Sequence, residues 1–139
     1  MNLTHPILNL VLVFSVAFAS LSVAAQTINV SLSGAQEVPA VSTTASGSGT
    51  ITIGADQSVS GSVMTTGVEG TMAHIHLAAA GQNGPVIVPM TKTADNVWSI
   101  PAGAKLTDAQ YQSFKDGNLY INVHSATNKG GEVRGQLKP

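Results

Sequence analysis

The sequence contains no cysteine, and this absence excludes several kinds of chemistry. Thiolate catalysis, iron–sulfur clusters and blue-copper centres all depend on a cysteine sulfur atom. Disulfide bonds are excluded as well, so an exported form of the protein must be stabilised by side-chain packing and backbone hydrogen bonds.

Charged residues are also scarce. They account for 9% of the 139 residues, and the formal net charge is −1. Proteins that bind nucleic acid or anionic membrane surfaces usually carry a basic patch, so this balance gives no electrostatic reason to expect either partner. The chain also lacks a P-loop and a nucleophile elbow. From the charge balance we expect no nucleic-acid partner.

The amino-terminal segment has the features of a secretory signal peptide. Residues 7–19 are largely apolar, and the small residues at 22–25 (SVAA) suit cleavage by a signal peptidase. The apolar run is too short for a comfortable membrane span, but no Lys or Arg precedes it, and a retained anchor is the alternative. We expect residues 1–25 to be the signal peptide. Residues 26–139 would form one exported domain (periplasmic, cell-surface or extracellular) without a stable membrane span.

Residues 26–139 have the composition of short strands joined by tight turns, because they are rich in Thr, Ser, Val, Ile and Gly. Alternating apolar residues and short apolar runs predict strands at 27–33, 49–54, 58–64, 72–77, 86–91, 96–100, 118–124 and 132–137. We expect the second and third of these strands to form a hairpin, and the last two to form another, because short turns separate them.

One segment, LTDAQYQSFKDG, predicts a helix over about residues 108–116. Thr107 is a suitable amino-terminal cap, Gln110 completes a capping box three residues later, and Gly117 suits the carboxyl-terminal end. The whole pattern predicts an all-β fold, an antiparallel β sandwich or barrel with one short helix.

Histidine is rare, with four in the chain, and all but one lie in two strand motifs. The exception, His5, belongs to the expected signal peptide. In the strand that ends in HIHL, the apolar residues form the natural core face, so Met72, His74 and His76 share the opposite face. Two strand steps separate the histidine alpha carbons by about 6.6 Å, and imidazoles at that spacing can converge on one ion.

The second motif, NLYINVH, alternates in the same way. Its apolar residues face the core, so Tyr120, Asn122 and His124 face away from it. The following strand contains Glu132 and Arg134. If it returns beside the motif as a hairpin, it brings Glu132 close to His124.

These motifs predict a metal site formed by His74, His76 and His124. Neutral imidazole binds zinc, copper, nickel and iron, so the spacing does not identify the ion. We expect copper or zinc. The alternative is an ordinary polar strand face without a metal.

The neighbouring polar residues each have more than one interpretation. Met72 offers a thioether that favours Cu(I), or it simply packs. Glu132 is a ligand or orients an imidazole, or else it forms a salt bridge with Arg134 or a lysine. Arg134 attracts an anion or is structural, while Tyr120 and Asn122 supply hydrogen bonds.

Three stretches resemble the CHRD domain, which is named after chordin and also occurs alone in exported microbial proteins. They are LSGAQEVPAV at 32–41, AHIHLAAAGQNGPVIV at 73–88 and GNLYINVHSATNKGGEVRGQL at 117–137. The resemblance implies an immunoglobulin-like or superoxide-dismutase-like β sandwich over nearly all of residues 26–139. The family's usual HIHG is HIHL here, so the backbone freedom of that glycine is missing at Leu77.

The motifs are also weakly similar to Cu/Zn superoxide dismutase. That family carries a His-x-His pair on a strand, a histidine near the end of the chain and an arginine beside the copper. The likeness implies that His74, His76 and His124 are copper ligands and that Arg134 guides an anion. Three histidines cannot build that family's two-metal site with a bridging imidazole, so one mononuclear site is the most that this chain permits.

Three functions are consistent with these observations. The first is an exported module that binds one copper or zinc ion. The second is a redox enzyme that resembles superoxide dismutase, which we expect less than a binding module. The third is a structural or adhesive module of the cell envelope, in which the histidines only make hydrogen bonds.

Overall fold

The structure is a computed structural model that describes residues 23–139, so most of the expected signal peptide lies outside the described residues. Within this range the strands are β1 (Gln26–Ser33), β2 (Ser46–Ile53), β3 (Val59–Thr66), β4 (Gly70–Leu77), β5 (Val86–Pro89), β6 (Thr91–Ala94), β7 (Val97–Ser99), β8 (Leu119–Ser125) and β9 (Val133–Leu137). A 3-10 turn covers Gly34–Gln36, and the helix α1 covers Asp108–Lys115. Across the described range, no helix is long and apolar enough to cross a membrane.

The strands form one antiparallel sheet in the order β5-β4-β8-β9-β1-β2-β3-β7-β6. The two outer strands, β5 and β6, follow each other in the chain and are joined by Met90. The backbone N–H of Met90 donates a hydrogen bond to the carbonyl oxygen of Ala73 in β4, at 3.0 Å. The sheet therefore curls into a nearly closed barrel or sandwich, which confirms the predicted fold class.

The apolar positions of the strands fill the interior as the alternation predicts. In β1, Ile28, Val30 and Leu32 are buried while the residues between them are exposed. The two predicted hairpins, β2–β3 and β8–β9, are both confirmed by antiparallel pairing. These contacts place one continuous hydrophobic core inside the sheet.

The strand predicted at 86–91 is confirmed over Val86–Pro89, but its extension to residue 91 as one strand is wrong, because the chain interrupts it at Met90. The Met90 side chain is buried in the core, and at this residue the backbone passes from one edge of the sheet to the other. The strand β6 that follows was not predicted. Its sequence, TKTA, is exposed throughout and so carries no apolar alternation.

The predicted helix is confirmed and ends at Lys115. Thr107 accepts a hydrogen bond from the backbone N–H of Gln110, and the Gln110 side chain accepts one from the backbone N–H of Thr107. This reciprocal capping box satisfies two amide groups that the first helical turn leaves free. On the buried side of the helix, Phe114 is fully enclosed in the core.

β8 is unusual because all of its residues are buried, on both faces of the sheet. Leu119, Ile121 and Val123 face the core, as predicted. The opposite face is not a solvated strand surface. It is covered by three segments, residues 34–41, 78–85 and 126–131, which contact the side chains between the core positions. This covered face carries the polar side chains that the sequence singled out.

Candidate metal centre

Three adjacent strands, β4, β8 and β9, present polar side chains on the covered face. The backbone register pairs Met72 with His124, His74 with Asn122, and His76 with Tyr120. On the other side of β8, Asn122 is paired with Arg134. Because directly opposite residues on a sheet lie about 4.5–5.5 Å apart, Asn122 occupies the centre of this group.

The three histidines form one cluster. Each offers a ring nitrogen, and these nitrogens lie within 4.8 Å of one another. The shortest contact is 3.1 Å, between Nδ1 of His74 and Nε2 of His124. His76 and His124 are buried, whereas His74 is only half-buried. The cluster is therefore enclosed by protein except on the side of His74.

Backbone carbonyl groups orient two of the imidazoles. Nδ1 of His76 donates to the carbonyl oxygen of Gly84 at 2.9 Å, and Nδ1 of His124 donates to that of Lys129 at 2.8 Å. A carbonyl oxygen only accepts, so Nδ1 carries the proton in both rings and Nε2 of the neutral imidazole carries a lone pair. In known metal sites, histidine ligands are held in the same way, by a hydrogen bond from the ring nitrogen that does not bind the metal.

Burial keeps two of the histidines in the uncharged form. It lowers the pKa of His74, and the nearby His124 and His76 lower that pKa further. Burial also lowers the pKa of His76, although its hydrogen bond to Gly84 acts in the opposite direction. Neutral imidazole is the form that binds a metal ion.

The spacing of the nitrogens fits one metal ion after the side chains move closer together. With metal–nitrogen bonds of about 2.0–2.1 Å, two nitrogens 3.1 Å apart subtend an angle of about 100° at the ion, close to tetrahedral. At a tetrahedral angle two nitrogens on one ion are about 3.3 Å apart, so a separation of 4.8 Å must close by about 1.5 Å. Side-chain rotation can supply such a shift.

Tyr120 lies between a histidine and an arginine. Its ring stacks on His76, with centroids 4.7 Å apart and planes inclined by 3°. The guanidinium carbon of Arg134 lies 3.4 Å from the centroid of the same ring, a cation–π contact. The Tyr120 hydroxyl accepts a hydrogen bond from the backbone N–H of Gly84 at 3.2 Å. Gly84 therefore fixes both His76 and the ring stacked on it.

Arg134 connects β9 to the loop at 78–85. Its guanidinium donates to the carbonyl oxygens of Gln82 (2.6 Å) and Ala79 (3.4 Å) and to Oδ1 of Asn83 (3.2 Å). Only 1% of Arg134 is exposed to solvent. These contacts support the structural interpretation of Arg134 over the attraction of an anion.

Glu132 and Met72 lie beside the histidine cluster rather than in it. Glu132 is not part of the cluster, and its Oε1 accepts a hydrogen bond from the Thr43 hydroxyl at 2.8 Å. A hydrogen bond from Ser125 lowers its pKa most strongly. Met72 stands next to His124 in the register, but 51% of its surface is exposed.

One buried residue of this region was not singled out from the sequence. Glu37 lies in the AQEVPAV stretch and is only 6% exposed. Burial raises its pKa to about 7, against the opposing effects of the Arg134 charge and of a hydrogen bond with Asn122. Gly131, at φ 129°, lets the carboxyl approach, since a Cβ atom there would collide with both Glu37 and Asn122. The only sign of this residue in the sequence was that it is a single acidic residue in an otherwise uncharged stretch.

The carbonyl groups of Gly84 and Lys129 were also not predicted. Both belong to loops, and the direction of a loop carbonyl depends on the backbone conformation rather than on the side chain. The glycine at position 84 gave some signal. A Cβ atom there would collide with the carbonyl group of Leu77, so the close approach of this loop requires glycine.

The fold and this cluster define a class of protein, an all-β module with a candidate metal site on a covered strand face. The chain belongs to the CHRD domain family, whose model matches residues 28–137. A search of curated proteins and a search of solved structures found no match. The likeness to Cu/Zn superoxide dismutase stays a similarity of short motifs.

Proposed function

We propose that the protein is an exported CHRD-domain module that binds one metal ion through His74, His76 and His124. One observation carries this proposal. Nε2 of His76 is buried and has no hydrogen-bond partner in the described part of the chain, while its Nδ1 proton is engaged by Gly84. A buried lone pair beside two further imidazoles is a suitable environment for a cation.

The proposed ion is copper or zinc. Both bind neutral imidazole well, and three histidine ligands are a common set for them. The half-exposed His74 provides the side from which the ion and a further ligand would enter.

Export is the second part of the proposal. Residues 1–25 would be the signal peptide and residues 26–139 the mature domain, located in the periplasm, at the cell surface or outside the cell. Two observations support this division. β1 begins at Gln26, the first residue after the proposed cleavage site, and the CHRD match lies entirely within residues 26–139. The absence of cysteine means that export would not depend on disulfide formation.

A structural module without metal is the second candidate, and the 3.1 Å contact favours it. At this distance His74 can donate a hydrogen bond to His124 and thereby join β4 and β8 without an ion. A redox enzyme would additionally need a reactant position at the metal, for which the half-exposed side of His74 offers an opening.

A metal-binding measurement tests the proposal. The mature protein would be stripped with a chelator, loaded with Zn²⁺ or Cu²⁺, dialysed and analysed for bound metal. We expect about one ion per chain for the wild type and none for the His74→Ala/His76→Ala variant.

The matched control is an Asp95→Asn/Asp116→Asn variant, which removes two exposed acids outside the cluster and should still bind one ion. Equal metal content in the wild type and the double histidine variant would rule out the proposed site.

A further inference from the structure

Asn122 occupies the centre of the covered face. It is 2% exposed, and its backbone is paired with His74 on one side and with Arg134 on the other. Its side chain points to the same face as the three histidines because it alternates with Ile121 and Val123, which lie in the core.

The contacts of the Asn122 amide nitrogen fix its orientation. Nδ2 donates to the carbonyl oxygen of Gly130 at 3.2 Å. The Glu37 carboxyl lies on the same side, within reach of the second Nδ2 proton. The Gly130 carbonyl is only an acceptor, and the Glu37 carboxyl keeps an acceptor oxygen even when it is protonated. The amide nitrogen therefore faces these two groups, and the amide oxygen faces the other way.

The amide oxygen is left without a donor. Oδ1 of Asn122 is buried and, over residues 23–139, has no hydrogen-bond partner; the same holds for Nε2 of His76. The two side chains lie close enough for Asn122 to affect the pKa of His76. Two buried acceptors side by side, with no proton between them, are unfavourable in an interior. A cation that binds both atoms removes this cost.

We propose that Oδ1 of Asn122 is a fourth protein ligand of the metal ion, and that Glu37 is a positioning residue that holds the Asn122 amide with its oxygen toward the histidines. This inference rests on the proposed metal site. A set of three imidazoles and one amide oxygen favours Zn²⁺ and Cu²⁺ over Cu(I), which prefers soft sulfur ligands.

Zinc affinity of matched variants is the first measurement. In competition with a chromophoric chelator, Asn122→Ala should bind Zn²⁺ at least about tenfold more weakly, since loss of even an outer partner of a ligand costs about 10- to 100-fold. Asn29→Ala, at an exposed strand position away from the cluster, is the control and should match the wild type. Glu37→Leu should also weaken binding, whereas Glu37→Gln keeps an acceptor for the amide and should restore it.

A nuclear magnetic resonance measurement on the wild type separates ligation from a merely structural role. On addition of Zn²⁺, the side-chain ¹³Cγ resonance of Asn122 should move downfield because the carbonyl becomes polarised, and that of Asn29 should stay. This measurement decides the question if Asn122→Ala fails to fold.

The outcomes are distinct. Zinc affinity unchanged in Asn122→Ala, or an unmoved Asn122 ¹³Cγ in a protein that binds zinc, would overturn the role of Asn122 and leave the three-histidine site standing. A wild type that binds no more zinc than the His74→Ala/His76→Ala variant would overturn the proposed function itself.

Discussion

Single residues on the covered face and in the segments over it are both buried and polar, and Glu37 shows the energetic cost most clearly. Its carboxyl is almost fully enclosed, yet the nearest full charge that compensates it is Arg134, which is itself engaged by a loop. Burial disfavours the ionised form of a carboxyl group, so Glu37 holds a proton at a pH where an exposed glutamate has lost it.

This raised pKa predicts a pH dependence of stability. The folded protein binds the Glu37 proton more tightly than the unfolded chain, whose ordinary pKa is 4.5, while the folded value is about 7. The contribution of Glu37 is therefore fully present below pH 4.5 and is lost as the pH rises through about 7, by at most about 3 kcal/mol.

Urea denaturation with a chelator present, on the wild type and on Glu37→Gln, measures this effect. The difference in free energy of unfolding between the two should fall from pH 4.5 to 8. The histidines affect both proteins equally and cancel in the difference. A difference in free energy of unfolding that stays constant with pH would contradict the raised pKa of Glu37.

At the scale of elements, the loop at 78–85 is attached to the sheet mainly through β9. Arg134 binds three of its oxygens, and the Gln136 side chain donates to the carbonyl oxygen of Ala78 at 2.9 Å. The same loop presents the Gly84 carbonyl to His76. Loss of these contacts should therefore make the loop more mobile and leave the His76 imidazole less well oriented.

Arg134→Lys tests this coupling. Lysine keeps the charge but lacks the planar fork that reaches several oxygens at once. We expect a loss of about 1–3 kcal/mol in free energy of unfolding and faster proteolytic cleavage within 78–85. Lys92→Arg, at an exposed position in β6, is the control. An unchanged denaturation midpoint for Arg134→Lys would show that the fork contributes little.

Much of the strand pattern was predictable, because the alternation in β1, β4 and β8 is set by burial of one face. The capping box at Thr107 was equally local. What the sequence could not reveal is the burial of the second face of β8, since it depends on three loops folding over the sheet. Glu37 and Asn122 come together from positions far apart in the chain, and only the tertiary structure shows that both side chains lie beside Gly131.

At the scale of the whole molecule, the histidine cluster spans strands β4 and β8, which pair side by side. An ion that binds only the folded arrangement stabilises it by mass action. At a free zinc concentration of about 100 times the dissociation constant, the gain is about 2.7 kcal/mol.

The wild type should therefore melt several degrees higher with zinc than with a chelator. The His74→Ala/His76→Ala variant should melt at the same temperature in both conditions. The structural module would be supported instead by two results together. The melting temperature of the wild type would not respond to zinc, and His74→Ala/His76→Ala would be destabilised equally with and without zinc.

The contact between His74 and His124 joins positions 50 residues apart in the chain. An ion held there would tie these positions together only in the folded protein, so its stabilising effect is the mass-action gain and disappears when the ion is lost. In a chain without cysteine, such a tie formed by Zn²⁺ would respond to chelators and acid, not to reducing agents. With zinc bound, the durability of the exported protein proposed above would then follow the metal content of its surroundings rather than their redox state.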